Sequence, residues 1–269
     1  MDVHTSRQNV PNRRRNKPMK RCTQWILMSA ALGIFSAQCQ ADDAPASKVV
    51  GSVSVVNDYL FRGLSQTNRK PALQPGIEYD DASGWYVGAW GSNVSWLSDL
   101  STSDAPVSSS VELDFYTGYR GSFNADWSYD IGLYEYYYPG TYPAGFTRPY
   151  TTEAYASLGW KGITLKYSHA FTNLFGFADS KNSDYVDLSW NYEFSPSWTL
   201  NTHVGHQDVS NTPGFAYYDW KVGVTKAFAN GYTVALGYYD TNAARGGYTN
   251  SYDHYVGRAT GVLSLAKSF

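Results

Sequence analysis

Cysteine is nearly missing from this chain of 269 residues: there are two, Cys22 and Cys39, and both lie near the N-terminus. Once that stretch is removed on export, no thiol remains to form a disulfide or a cysteine-based metal site. Long apolar runs are missing too. Although 43% of the residues are hydrophobic, no run approaches the roughly 20 residues that a membrane-crossing helix needs, and a helical membrane protein is excluded. Catalytic signatures are also absent. His169, His203, His206 and His254 are scattered, and neither a Gly-x-Ser-x-Gly elbow nor an HExxH pair occurs. The reading is therefore no enzyme, no cofactor and no metal. His203 and His206 would face opposite sides of a strand, which argues against a shared ion.

An excess of basic charge is likewise missing outside the N-terminus. Arg13, Arg14, Arg15, Lys17, Lys20 and Arg21 precede an apolar stretch over 25–35 and then small residues, the order of a secretory signal peptide. Met19, followed by Lys20 and Arg21, makes a better-formed start than Met1. Cleavage is predicted after Ala41, with Ala46 as the alternative, so residues 1–41 read as the signal region and 42–269 as the exported domain. Removing seven basic residues and one acid leaves 14 Lys plus Arg against 22 Asp plus Glu, a formal −8. That balance argues against nucleic acid as a partner.

Tyrosine and tryptophan, by contrast, are abundant at 24 and 9 residues, as at a water–lipid boundary. From Val49 onward the dominant period is two, the mark of half-buried strands. Val186, Leu188, Trp190, Tyr192 and Phe194 fall on one face, and Tyr185, Asp187, Ser189, Asn191 and Glu193 on the other. Strands are predicted near 49–60, 72–81, 85–96, 110–121, 126–138, 150–160, 162–173, 184–195, 197–208, 216–228, 232–242 and 253–269. Short turns at 82–84, 122–125, 161–162, 195–197 and 229–231 alternate with long Gly/Pro/Ser/Asn-rich connections at 61–71, 97–109, 139–149, 173–183, 209–215 and 242–252.

This long–short alternation predicts an all-β fold: a single transmembrane antiparallel barrel of about twelve strands in the bacterial outer membrane, with both ends periplasmic. A soluble lipocalin-type barrel would alternate as well, with its apolar face turned inward. Lipid outside is favoured by Trp85, Trp127, Trp198 and Tyr232, each opening a strand after a short turn, and by Trp160 closing one. The chain also stops at Phe269 on an alternating strand, which reads as the signal taken by the barrel-assembly machinery. Lys267 interrupts the apolar side there, where its stem can stay in lipid while the ammonium reaches water.

Several blocks then resemble a known family. Residues 58–67 (Asp-Tyr-Leu-Phe-Arg-Gly-Leu-Ser-Gln-Thr), Pro71 to Gln74, Ser83 to Tyr86 and Trp90 to Val94 resemble the TorF porin family, as do Tyr137 to Gly140, Glu153 to Leu158 and Asp219 to Val224. The resemblance spans nearly all of the predicted exported domain and departs at Pro75, where the family leads us to expect glycine near a strand end. It implies an outer-membrane barrel with porin activity and supplies no substrate.

Following the alternation inward gives thirteen candidate pore-lining residues: Glu78, Asp80, Glu112, Asp114, Arg120, Asp130, Glu153, Lys166, Asp187, Glu193, Asp219, Lys221 and Arg258. Nine are acids, so the wall would carry a net −5 and prefer cations weakly. Ser189, Gly223, Thr225 and Thr260 would leave width. The reading is a channel for small hydrophilic solutes, with lipid, the assembly machinery and small polar solutes as partners. The alternatives are a plugged structural or adhesive barrel, and an outer-membrane lipase. The tyrosines of 134–138 read as barrel wall and interface girdle rather than a sugar-stacking track. Asp58 and Arg62 read as braces of the first outer loop, with a place in the lining of the mouth as the alternative.

Overall fold

The computed structural model describes residues 46–269; the signal-peptide reading of 1–41 lies outside the described residues. Among them, no helix is long and apolar enough to cross a membrane. Twelve strands close into one antiparallel barrel: β1 (Lys48–Val56), β4 (Ala72–Asp80), β5 (Trp85–Asn93), β6 (Val111–Ser122), β7 (Trp127–Tyr137), β8 (Thr151–Trp160), β9 (Ile163–Ala170), β10 (Asp184–Ser195), β11 (Trp198–Asp208), β12 (Tyr217–Ala227), β13 (Tyr232–Thr241) and β14 (Thr260–Ser268). Two further strands, β2 (Leu60–Phe61) and β3 (Leu64–Ser65), form a separate small hairpin. β1 closes the ring by pairing with both β4 and β14, so no edge is left in hydrocarbon, where each unpaired backbone group would cost several kcal/mol.

The alternation sorts side chains as the period of two requires. Ile77, Val87, Ile131, Leu165, Leu236 and Leu263 stand exposed on the outside. The acids and tyrosines of the opposite parity are buried within. An apolar exterior around a polar interior is stable only where the exterior meets lipid, so the barrel spans a membrane. Trp85, Trp127, Trp160, Trp198 and Tyr232 are exposed at the short-turn end, where they form the expected girdle. Lys267 lies 5.0 Å over the Tyr232 ring and donates to the Asn230 carbonyl, keeping its charge at the water line. Phe269 exchanges backbone hydrogen bonds with Gly51 at 2.9 and 3.0 Å and leaves its ring on the outer surface.

Two boundaries differ most from the pattern, and one proline sits deeper in its strand than expected. β1 stops at Val56 rather than running to residue 60, because the Asn57 side chain substitutes for the ladder, accepting from Leu263 N–H at 2.7 Å and donating to Gly261 O at 3.1 Å. The chain then turns into β2–β3. β14 begins at Thr260 rather than 253, because residues 253–259 belong to the last outer loop, which turns at Asp253 with φ of 60° and pairs Thr249 with Tyr255. Pro75 sits inside β4 rather than near its end. The ladder from β4 to β5 begins only at Gly76, and Asn93 supplies the missing partners by accepting from Leu73 N–H at 2.8 Å and donating to Pro71 O at 3.1 Å. A proline is tolerated where no ladder bond is demanded of it.

Candidate functional site

The first outer loop folds back into the barrel, and this decides the shape of the lumen. Asp58 holds its base by accepting from Ser65 Oγ at 2.6 Å and Thr67 Oγ1 at 3.1 Å. At the tip, Arg62 and Gly63 take positive φ of 47° and 77°. A β-carbon on Gly63 would press on Thr241 and lie 2.7 Å from Asp219 Cβ, so only glycine lets the tip sit this close to the wall. Arg62 then reaches across the interior. Its guanidinium donates to both Glu153 oxygens at 2.9 and 2.7 Å and to Gln207 Oε1 at 2.6 Å, and lies 4.3 Å over the Tyr185 ring. Arg62 thus does more than brace its own loop: it ties the hairpin to β8 and β11.

The predicted inward residues are not a ring of free carboxylates. Tyr134 donates to Asp114 at 2.9 Å, Tyr138 to Glu112 at 3.1 Å, Tyr86 to Asp130 at 2.7 Å and Tyr185 to Asp219 at 3.0 Å. Arg120 takes Glu78 at 2.5 Å and Asp80 at 3.3 Å, with its guanidinium 3.7 Å over Tyr86. His203 stands between two acids, with Nδ1 at 2.8 Å from Asp187 and Nε2 at 3.4 Å from Asp219. Lys166 and Lys221 face aromatic rings instead, over Tyr155 at 4.0 Å and Tyr239 at 5.4 Å. Glu193 is exposed at the short-turn rim and accepts from Ser197 N–H at 3.1 Å. Arg258 is displaced from the wall altogether, because its segment is loop, and it is exposed at the outer mouth.

The tyrosines of 134–138 divide between two environments. Tyr137 faces outward as wall, whereas Tyr134, Tyr136 and Tyr138 point inward and are buried. With Tyr59, Trp90 and Tyr116 they make one aromatic cluster filling the outer half of the lumen on the β4–β8 side, where Tyr116 and Tyr134 stack at 5.4 Å. Of these groups only Gln207 drew no reading from the sequence, whereas Arg62 read as a loop brace or mouth residue, His203 as one of several scattered histidines and the tyrosines as wall. The signal was available for the tyrosines, which share the parity of Glu112, Asp114 and Asp130. The inward residues that keep solvent exposure are small or polar: Ser52, Gly76, Ser157, Thr164, Ser189 and Ser264 among them. Among the described residues, no group of three His, Asp or Glu could hold a metal ion.

A family model described as "Bacterial protein of unknown function (Gcw_chp)" matches residues 40–269. The chain belongs to this family. No curated protein matches the Gcw_chp chain in sequence. Among solved structures, its fold is similar to that of the KdgM porin at a TM-score of 0.51 and 7% identity, covering 82% of this chain and 98% of that one. A second KdgM structure, in complex with disordered oligogalacturonate, gives 0.50 and 7% over the same shares. Pseudomonas aeruginosa OprD gives 0.39 and 12%, covering 82% of this chain and 66% of OprD. At such identities the likeness is one of fold.

Proposed function

We propose that this chain is an outer-membrane channel for passive diffusion of small hydrophilic solutes, narrowed by its own first loop and weakly preferring cations. The observation that carries the reading is the closed barrel with lipid-facing apolar residues outside and a charged interior whose periplasmic half is lined by small, solvent-exposed residues. The likeness to the KdgM fold and the resemblance to the TorF porin family point the same way. The weak cation preference rests on formal charge. Arg258 leaves the wall and Arg62 joins it, so nine acids still face four bases. Lipid, the assembly machinery that reads Phe269, and small polar solutes are the partners this reading requires.

A plugged structural or adhesive barrel is the second reading, favoured by the bond between Arg62 and Glu153 and by the aromatic packing beside it. Swelling of liposomes carrying the purified chain separates the two. A channel admits glycine and small sugars at rates that fall with solute size, whereas a plugged barrel swells no faster than protein-free liposomes.

A further inference from the structure

At the outer end of β13 the mouth carries a cleft of about 460 Å³, lined by Asp240, Thr241, Arg245, Tyr255 and Arg258 among others. That volume lies in the range of roughly 300–1,000 Å³ typical of small-molecule sites. The arginines deeper in the barrel are paired with carboxylates, Arg62 with Glu153 and Arg120 with Glu78 and Asp80. The two in the cleft are not: among the described residues, no carboxylate lies within 4.0 Å of Arg245 or Arg258. Arg245 is held over the Tyr255 ring at 4.6 Å, and Tyr255 is fixed by its hydroxyl donating to Ala243 O at 2.7 Å.

A third guanidinium stands beside them. Arg69 donates to the Tyr255 carbonyl at 2.7 Å, and burial, with the neighbouring Arg258 charge, pushes its pKa below the usual arginine value. Three guanidinium groups are therefore gathered here, with Asp58 acting on Arg69 from a distance and no carboxylate within ion-pairing reach of Arg245 or Arg258 among the described residues. The one carboxylate in the cleft, Asp240, is partly engaged by the N–H of Thr241 at 2.9 Å and keeps acceptor capacity suited to a ligand's hydroxyl groups, whereas the Thr241 hydroxyl is taken up by Gly257 O and the N–H of Ala243. Lys221, over Tyr239, lies one inward position below Thr241 on the same side of the lumen, next to Asp219.

We propose that this cleft is a binding site for a small hydroxylated carboxylate, with Arg245 and Arg258 taking the carboxylate and Asp240 accepting from a hydroxyl. Guanidinium is the side chain best matched to carboxylate geometry. The site deepens the channel reading by giving the outer mouth a solute class, yet binding is measurable without conduction.

The test is calorimetric titration of the refolded full chain with glucuronate and with glucose at low salt. Glucuronate is expected to bind at least tenfold more tightly than glucose. The double replacement Arg245→Gln and Arg258→Gln should weaken glucuronate by about tenfold or more, since each arginine gives up a charge-assisted hydrogen bond, while Lys181→Gln, in another outer loop, leaves it unchanged. Retained heat-modifiable mobility in gels shows that the variants are folded. Equal affinity for the two sugars, no glucuronate binding, or affinity indifferent to the double replacement overturns the site. A chain that binds glucuronate but passes no current contradicts the channel reading alone.

Discussion

Arg62, at the tip of the first outer loop, and Glu153, on the wall strand β8, form a buried ion pair at 2.7 Å across the lumen. Both side chains are almost wholly shielded, at 4% and 3% exposure. Removing one partner of such a pair typically costs about 3–5 kcal/mol, because the other is left buried and uncompensated. Arg62→Ala should therefore release the hairpin rather than unfold the barrel, which is held by twelve ladders. Single-channel recordings of Arg62→Ala should give larger, noisier steps than wild type. The double variant Arg62→Ala with Glu153→Gln should recover stability but keep the wider pore. Wild-type step size in both variants would show that the hairpin does not set the constriction.

The tyrosines inside the barrel need glycines opposite them. A β-carbon at Gly205 would overlap the Tyr185 hydroxyl and lie 2.7 Å from Asp219 Oδ1, disturbing the bond between those two side chains. Gly205→Ala should cost about 1–3 kcal/mol, as overpacking does, and lower the temperature at which the folded band converts to the unfolded one in gels. An unchanged transition would mean that Tyr185 is free to move away.

Much of the barrel was legible from the sequence, and the part that was not has a physical cause. Period two and the alternation of loop lengths are local properties, so strand number, the short-turn end and the girdle of Trp85, Trp127, Trp160 and Trp198 could be read directly. Parity also placed Glu112, Asp114, Asp187 and Asp219 inward. What parity cannot give is which inward groups touch. Tyr134 and Asp114 lie 20 residues apart, Arg62 and Glu153 91, and such meetings depend on register around the closed ring and on a loop folding inward. Arg258 was misplaced for a simpler reason: residues 253–259 keep an alternating look while their backbone turns at Asp253.

Topology follows from the connections, since the six longer ones all leave the end opposite the girdle and the chain termini. Cysteines at Thr102, Ala144 and Gly247 should react with an impermeant thiol reagent on intact cells, and cysteines at Ser83 and Asn230 should not. The reverse pattern of labelling would invert the orientation.

Assembly should depend on the last residue. Phe269 is paired through its backbone to Gly51 but packs little of its ring, which is 73% exposed, so its loss should cost the folded barrel little. Deleting it should nevertheless lower the amount inserted in the outer membrane and leave degraded chain in the periplasm. Normal yield of the truncated chain would remove Phe269 from the assembly signal.

The central claim, a water-filled path past the hairpin, is tested most directly by the current through a planar bilayer holding the purified chain in a potassium chloride gradient. The account predicts discrete conductance steps and a reversal potential on the cation side that grows as the salt is diluted, because screening weakens towards low ionic strength. Asp80→Asn with Glu193→Gln, the two acids of the wall least shielded from solvent, should move that potential towards zero. A folded, inserted barrel that carries no current would contradict the claim, and steady anion selectivity at every dilution would contradict its charge assignment.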